Sequence, residues 1–71
     1  MQTDLISITV NGKACNTPPE QSVIALLEWL QIPADRVAVE LNKSIVRKRD
    51  WAQTKVQPNS QIEIVEFVGG G

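Results

Sequence analysis

The stretch SVIALLEWLQIP, residues 22–33, decides how this chain folds, because it is the clearest amphipathic helix and separates two groups of strand-like segments. Ser22 is a favourable N-cap, and four apolar residues after it recur at the i, i+3, i+4 and i+7 positions of one helix face. These four are Val23, Leu26, Leu27 and Leu30. Pro33 is expected to end the helix near Gln31 or Ile32, because the residue before a proline disfavours helical backbone.

A β-hairpin is predicted before this helix. Residues 6–10 alternate apolar and polar side chains, which is the period of a half-buried strand. Asn11-Gly12 follows, and both residues tolerate the positive φ of a type I′ turn. Residues 13–17 form the returning strand, which we expect at a sheet edge because its β propensity is weak. Pro18-Pro19 ends that strand, since proline cannot donate to a ladder.

Three strands are predicted after the helix. Residues 37–41 again alternate apolar and polar side chains, residues 42–44 are a turn candidate, and Ile45-Val46 is a short fourth strand. A second turn cluster at 57–60 precedes the last strand, which we expect over residues 61–68.

The two tryptophans are expected to be packing or interface residues. Trp29 falls about a third of a turn away from the apolar helix face, so it should flank the core. Asp50 and Gln53 have the spacing of a capping box, which predicts a single helical turn that carries Trp51. Stacking of either ring on a nucleic-acid base is the alternative.

The order of these elements predicts an α+β fold. A helix that joins strands of one sheet makes a right-handed crossover and covers one face of the sheet. The first strand should therefore run parallel to a later one, in a mixed sheet of four to five strands with the one main helix packed on one face. This is the β-grasp, or ubiquitin-like, layout. We expect residues 1–68 to form the β-grasp domain and residues 69–71 to form a flexible glycine tail.

Composition excludes several classes of function. The 71 residues include 7 Lys or Arg and 8 Asp or Glu, so the net charge of −1 argues against nucleic acid as a partner. The basic run of residues 47–49 lies next to Asp50 and is expected to be a solvated loop that at most steers an acidic partner. The chain has no His, and no cluster has metal-ligand or catalytic-triad spacing. We therefore expect no enzyme, no bound cofactor and no metal.

The lone cysteine and the apolar pattern indicate a cytoplasmic protein. No signal peptide or membrane span is recognisable, so no membrane partner is expected. Cys15 cannot form an internal disulfide, which suits a reducing compartment. No His or helix N-terminus is adjacent to activate its thiol, so we expect a small, half-buried strand residue.

Gly69, Gly70 and Gly71 are the residues in which chemistry is expected. Glycine has no Cβ, so such a tail is thin enough to follow a narrow channel into another protein's active site. A terminal α-carboxylate is ionised at neutral pH and is a competent nucleophile toward the α-phosphate of ATP. The alternative is a terminus without any role.

Taken together, these segments resemble the ThiS family of sulfur carrier proteins in thiamin biosynthesis. The similar features run from Ile6 to Gly71. They are the first strand with its Asn11 turn, Gln21-Ser22-Val23, Leu26-Leu27, residues 37–42, Ile45-Val46, Arg49, Trp51-Ala52-Gln53, Gln61-Ile62 and the terminal Gly70-Gly71.

The resemblance implies a carrier and not an enzyme. A ThiF-type partner would adenylate Gly71 with ATP, and a sulfur donor fed by cysteine desulfuration would convert its carboxylate to a thiocarboxylate. The thiocarboxylate would then give its sulfur to thiazole synthase (ThiG) for the thiazole ring. Gly70 would keep the approach unhindered, and the free carrier would be a monomer.

Val65 and Phe67 are the expected docking residues for these partners. If Ile62 and Ile64 face the helix, Val65 and Phe67 lie on the uncovered face of the sheet, beside the tail. Exposed apolar side chains next to a functional terminus favour an interaction surface. The alternative is that this face simply contains residues that strands favour.

Other functions with the same fold stay open at this point. Related sulfur carriers serve as the small subunit of molybdopterin synthase or in cysteine or methionine biosynthesis. A ubiquitin-like modifier would end in an isopeptide bond to a lysine, and a β-grasp binding module would not use its glycines at all.

Overall fold

This computed structural model describes residues 4–67. They form a mixed sheet with one α-helix packed across it. The strands and the helix are β1 (Ile6–Val10), β2 (Lys13–Thr17), α1 (Val23–Trp29), β3 (Val37–Leu41), β4 (Ser44–Val46) and β5 (Gln61–Glu66). The five strands lie in the order β2-β1-β5-β3-β4. β1 is parallel to β5 and the other neighbours are antiparallel, which confirms the predicted β-grasp layout.

The first hairpin forms as predicted. Asn11 and Gly12 have φ values of 50° and 83°, the positive pair that a type I′ turn requires. Val10 pairs with Lys13 across this turn, and β2 lies at the edge of the sheet.

The second hairpin has a tighter turn than the sequence predicted. Asn42 and Lys43 have φ values of 51° and 73°, and Leu41 pairs with Ser44. Ser44 therefore belongs to β4 and not to the turn. A two-residue turn with positive φ matches the twist of the strands it joins, and here a lysine occupies the position that glycine holds in the first hairpin.

Helix α1 begins as expected but ends earlier, at Trp29 rather than near Gln31 or Ile32. The Ser22 Oγ accepts a hydrogen bond from the Ala25 N–H at 3.1 Å. At the other end Gln31 adopts a φ of 61°, and the Ile32 N–H donates to the Leu27 carbonyl at 2.9 Å. This left-handed cap is a Schellman motif, so the chain leaves the helix before Pro33 is reached.

The predicted capping box at Asp50 and Gln53 does not form. The helical turn, a 3-10 turn, spans Lys48–Asp50, so Asp50 is its last residue rather than its N-cap. Trp51 follows this turn and is only 2% exposed, while its Nε1 donates to the Val46 carbonyl at 2.8 Å. Trp51 is therefore a core residue. Trp29 is 51% exposed.

The core lies between α1 and one face of the sheet. It contains Ile8, Val23, Leu26, Leu27, Val37, Val39, Trp51, Val56 and Ile62. β5 ends at Glu66, two residues earlier than predicted, although the Phe67 N–H still donates to the Arg36 carbonyl at 2.7 Å. Val68 and the predicted tail at residues 69–71 lie outside the described residues.

Candidate functional site

β5 is the strand that leads to the glycine run, and it is the central strand of the sheet. It pairs in parallel with β1 through Thr9–Gln61 and Val10–Ile62, and antiparallel with β3 over residues 62–66. The segment before residues 69–71 is thus held from both sides.

Asn11 extends the contact between β1 and β5 after β1 has ended. Its backbone N–H donates to the Ile62 carbonyl at 2.8 Å. Its side-chain Oδ1 accepts from the Ile64 N–H at 2.7 Å, and its Nδ2 donates to the Ile64 carbonyl at 3.2 Å. The side-chain amide therefore takes the place of one more peptide group of β1.

Asn42 holds the start of β5 from the opposite side. Its backbone N–H donates to the Gln61 carbonyl at 2.7 Å, and its Oδ1 accepts from the Gln61 N–H at 2.8 Å. Asn11 and Asn42 are the first residues of the two positive-φ turns. The first residue of each turn is therefore also hydrogen-bonded to the central strand β5.

Exposed apolar side chains lie on the sheet face that α1 does not cover. Val65 is 58% exposed and pairs with Ala38. Its side chain points to the face opposite to that of the buried Ile62 and the half-buried Ile64. Phe67, just after the strand, is 55% exposed, and Ile45 on β4 is 72% exposed. Their exposure is the arrangement that the sequence predicted for Val65 and Phe67; the docking role stays a prediction.

Two carboxylates lie directly opposite each other on this same face. Glu40 on β3 pairs with Glu63 on β5, and Glu40 pairs with Ile45 on its other side. A shallow depression between the strands is lined by Glu40, Lys43, Gln61, Glu63 and Val65. In the part of the chain that the structure describes, the recorded salt bridge joins Lys55 to Glu20 at 3.5 Å and reaches neither carboxylate.

The other polar residues singled out in the sequence lie away from this face or in an exposed loop. Cys15 is a free, half-buried thiol on β2, whose Sγ lies 3.8 Å from the Asn16 carbonyl oxygen. Lys48 lies above the Trp51 ring, with its Nζ 5.9 Å from the ring centroid, and Arg47 and Arg49 are exposed.

Residues 4–67 contain neither a metal-binding cluster nor a helix suited to span a membrane. This region contains no group of three or more His, Cys, Asp or Glu side chains placed to hold a metal ion. None of its helices is long and apolar enough to cross a membrane.

Sequence reasoning did not identify the roles of Asn11 and Asn42 or the pairing of Glu40 with Glu63. The asparagines were recognised only as turn residues, because their partners on β5 are distant in sequence. For the glutamates, the alternation of each strand places both on the outer face. Their direct opposition depends on the register between β3 and β5.

Comparison with known proteins identifies a family that covers nearly the whole chain. The model of the ThiS family matches residues 8–71. The chain is 33% identical over 66 residues to the sulfur carrier protein ThiS of Escherichia coli, covering 93% of this chain and 100% of that protein.

A solved structure has the same fold. The crystal structure of the thiamine biosynthesis protein ThiS from Geobacter metallireducens superposes with a TM-score of 0.83 at 32% identity, covering 93% of this chain and 100% of that one. A thiazole synthase from Paramagnetospirillum magneticum is 39% identical over 66 residues. The match covers 93% of this chain and only 20% of that longer protein.

Proposed function

The chain belongs to the ThiS family, and from this premise we propose that Gly71 is the residue on which its sulfur is carried. Members of the family are small sulfur carriers of thiamin biosynthesis and not enzymes, and this chain is such a carrier.

The proposed chemistry uses the terminal carboxylate as a nucleophile. A carboxylate oxygen of Gly71 attacks the α-phosphate of ATP in an adenylating partner of ThiF type, and pyrophosphate leaves. The terminal sulfur of a persulfide supplied by a desulfurase then attacks the acyl-adenylate, and AMP leaves. A thiol of the partner attacks the donor's sulfur in the resulting acyl disulfide, so that a disulfide forms between the thiol and the donor and the thiocarboxylate is released. ATP is thus the partner's substrate and not a group held by this chain.

The observation that supports this assignment is the position of the three glycines. Gly71 follows Glu66, the last residue of the central strand, by only five positions. Gly69 and Gly70 have no side chains that would obstruct a narrow channel. A rigid strand directly before such a segment gives an enzyme a fixed body to hold while the terminus enters its active site.

Val65 and Phe67 are proposed as contact residues for both the adenylating enzyme and thiazole synthase. Their exposed side chains lie at the end of β5 from which the glycines continue. The similarity to one segment of a larger thiazole synthase supports this second partner, because there a segment like this chain shares one polypeptide with the synthase. An ATP-dependent step also favours a cytoplasmic location.

Fragmentation mass spectrometry of the C-terminal peptide tests the proposal. The chain is incubated with the host's ThiF-like enzyme, Mg-ATP and a sulfur source, and the same reaction without ATP is run beside it. The exchange of oxygen for sulfur should appear on Gly71 only when ATP is present. Fragmentation is needed because oxidation of Met1 or Cys15 adds nearly the same mass.

A chain that lacks residues 69–71 is the matched control and should gain no sulfur, whereas removal of Gly71 alone would leave Gly70 as a terminal glycine. No gain on the intact chain, with an enzyme that modifies an established carrier in parallel, would contradict the proposal. Conjugates of high mass that disappear with Gly71 would instead indicate a protein modifier.

A further inference from the structure

We propose that the adenylating partner adds an extended strand to β5 at Glu66, on the side where β1 has already ended, so that partner and carrier share one sheet directly before the glycines. The inference rests on the proposed function, and it adds the backbone contact by which the partner would hold this chain.

The β3 side of β5 is paired through Phe67. The Gln61 carbonyl accepts a hydrogen bond from the turn between β3 and β4, and the Phe67 N–H donates to the Arg36 carbonyl at 2.7 Å. Both bonded residues are odd-numbered, because the polar groups of successive strand residues point to opposite neighbours. Glu66 lies opposite Val37 in the register, and as an even-numbered residue it directs its N–H and C=O away from β3.

The β1 side of β5 is paired only as far as Ile64. Here the even-numbered residues are bonded. The carbonyls of Ser60 and Ile62 accept backbone N–H groups at 2.9 and 2.8 Å, and Ile64 bonds to the side-chain amide of Asn11. Glu66 is the next residue in this series, but β1 has by then reversed at its turn. In the described part of the chain, neither the N–H nor the C=O of Glu66 has a hydrogen-bond partner.

This unpaired position is held in extended form and is accessible. Glu66 lies between Val65, which pairs with β3, and Phe67, whose N–H is bonded to Arg36. Its side chain is exposed. A Cβ built on Gly12, in the neighbouring turn, has nothing within 4 Å, so no other described residue packs over that position. An open strand edge is a template for the addition of a strand, and main-chain hydrogen bonds give such complexes their affinity.

The chemistry of the terminus selects the adenylating enzyme as the occupant. This enzyme meets an ordinary α-carboxylate, the group in which every protein chain ends, so its selectivity has to come from the folded part of the carrier. Thiazole synthase meets a thiocarboxylate, which distinguishes the carrier by the reactive group itself. A second copy of this chain is disfavoured, because a charged residue such as Glu66 on a strand edge discourages pairing between copies.

The open position also lies close to the reacting group along the chain. Gly71 follows Glu66 by five residues, and an extended chain spans at most about 3.3–3.6 Å per residue. The terminal carboxylate is therefore within about 20 Å of the Glu66 backbone. A strand added there would fix the chain just before the segment that has to enter the active site.

Amide hydrogen exchange, measured residue by residue, tests the proposal on the wild-type chain. In the free chain the Glu66 amide should exchange fast and the Phe67 amide slowly, because Phe67 donates to Arg36. Addition of the host's ThiF-like enzyme without ATP should slow exchange at Glu66 about tenfold or more. Phe67 is the internal control, since its N–H is bonded with or without the enzyme.

Glu66→Pro removes the same N–H by substitution. It should weaken binding to the enzyme, measured by calorimetry, about tenfold, because a carbonyl of the partner loses its donor. Proline is tolerated on a strand edge where the N–H is unpaired, and Val65 already has the extended backbone that a following proline favours. Glu66→Gln is the matched control, which loses the charge and keeps the N–H, so its affinity should stay within about twofold of wild type.

Thermal melts show whether Glu66→Pro folds. If it does not, a chain made by chemical synthesis with an N-methyl group on Glu66 removes the N–H and keeps the side chain. Its affinity should fall by a similar factor.

Unchanged exchange at Glu66 in the complex, or equal affinities of the folded Glu66→Pro and Glu66→Gln chains, would overturn the inference. Protection of Glu66 by thiazole synthase alone would overturn it as well. ATP-dependent sulfur on Gly71 is measured independently and would stand in each of these cases, so the two proposals fail separately. A wild-type chain that the adenylating enzyme neither binds nor activates would overturn both.

Discussion

The side-chain amide of Asn11 is hydrogen-bonded to both backbone polar groups of Ile64, 53 residues away in the chain. A turn residue thereby completes the pairing of the central strand, at the point where β1 has already reversed its direction. Side-chain amides can replace a backbone peptide in this way because they present one acceptor and one donor with similar geometry.

Replacement of Asn11 should destabilise the sheet. Asn11→Gly keeps a residue that accepts a φ of 50° and removes both side-chain hydrogen bonds, so the free energy of unfolding should fall by about 1–2 kcal/mol. Urea denaturation measures this loss, and the Ile64 amide should exchange its hydrogen faster. Asn11→Asp keeps the acceptor and should lie between glycine and wild type. Equal stability of all three chains would show that the amide contributes nothing.

Swapping glycine and lysine at the second residue of each hairpin turn should change the stability in opposite directions. Lys43 adopts a φ of 73°, which costs an L-residue with a side chain about 1 kcal/mol relative to glycine. Lys43→Gly should therefore stabilise the chain by roughly that amount. Gly12→Lys, at a φ of 83°, should destabilise it similarly, since a Cβ there meets nothing within 4 Å and only backbone strain is added. Thermal denaturation of both variants measures this, and a change of the two melting temperatures in the same direction would contradict the explanation.

Val65 and Phe67 should matter for binding and not for folding. Both are more than half exposed, so Val65→Ser and Phe67→Ser should change the free energy of unfolding by less than about 0.5 kcal/mol. Each should weaken binding to the adenylating enzyme, because apolar area buried at the interface is lost. Trp29→Ser removes an equally exposed apolar side chain from the helix side and should leave the affinity unchanged. Wild-type affinity in the two β5 variants would remove these residues from the docking surface.

The two tryptophans should contribute very differently to stability. Trp51→Phe removes buried volume and leaves the Val46 carbonyl without its indole donor, so we expect a loss of about 2–3 kcal/mol. Trp29→Phe should cost less than about 0.5 kcal/mol, because half of that side chain is in water. Each variant also leaves one fluorophore, and the chain that retains only Trp51 should emit at the shorter wavelength. Similar losses in both variants would contradict the burial described here.

Features with local causes were predictable from sequence. Asn11-Gly12 specified a two-residue turn, Ser22 specified the start of α1, and the alternation in β5 separated Ile62 and Ile64 from Val65. In each case the residues that decide the structure lie within a few positions of each other. The order of these elements then left few ways to build one sheet, which is why the β-grasp layout could be predicted.

Features that depend on residues distant in sequence, or on two competing local signals, could not be predicted from the sequence. Pro33 predicts the end of the helix, but Gln31 adopts a left-handed conformation first because its N–H and that of Ile32 can satisfy the last carbonyls. The capping box expected at Asp50 does not form, because the helical turn begins earlier, at Lys48, and brings Trp51 into the core. The opposition of Glu40 and Glu63 requires the strand register, which alternation alone does not give.

The central strand of the sheet is also the last strand to be synthesised. β1 and β3, its two neighbours, are both synthesised before residues 61–66, and without β5 the sheet consists of two separate hairpins. A product truncated before Gln61 exposes an open edge on each hairpin and an incomplete core, and is therefore a substrate for proteases and chaperones. The native sheet can therefore form only after translation has reached the segment directly before the glycines. An enzyme that recognises the folded sheet does not bind chains truncated before β5.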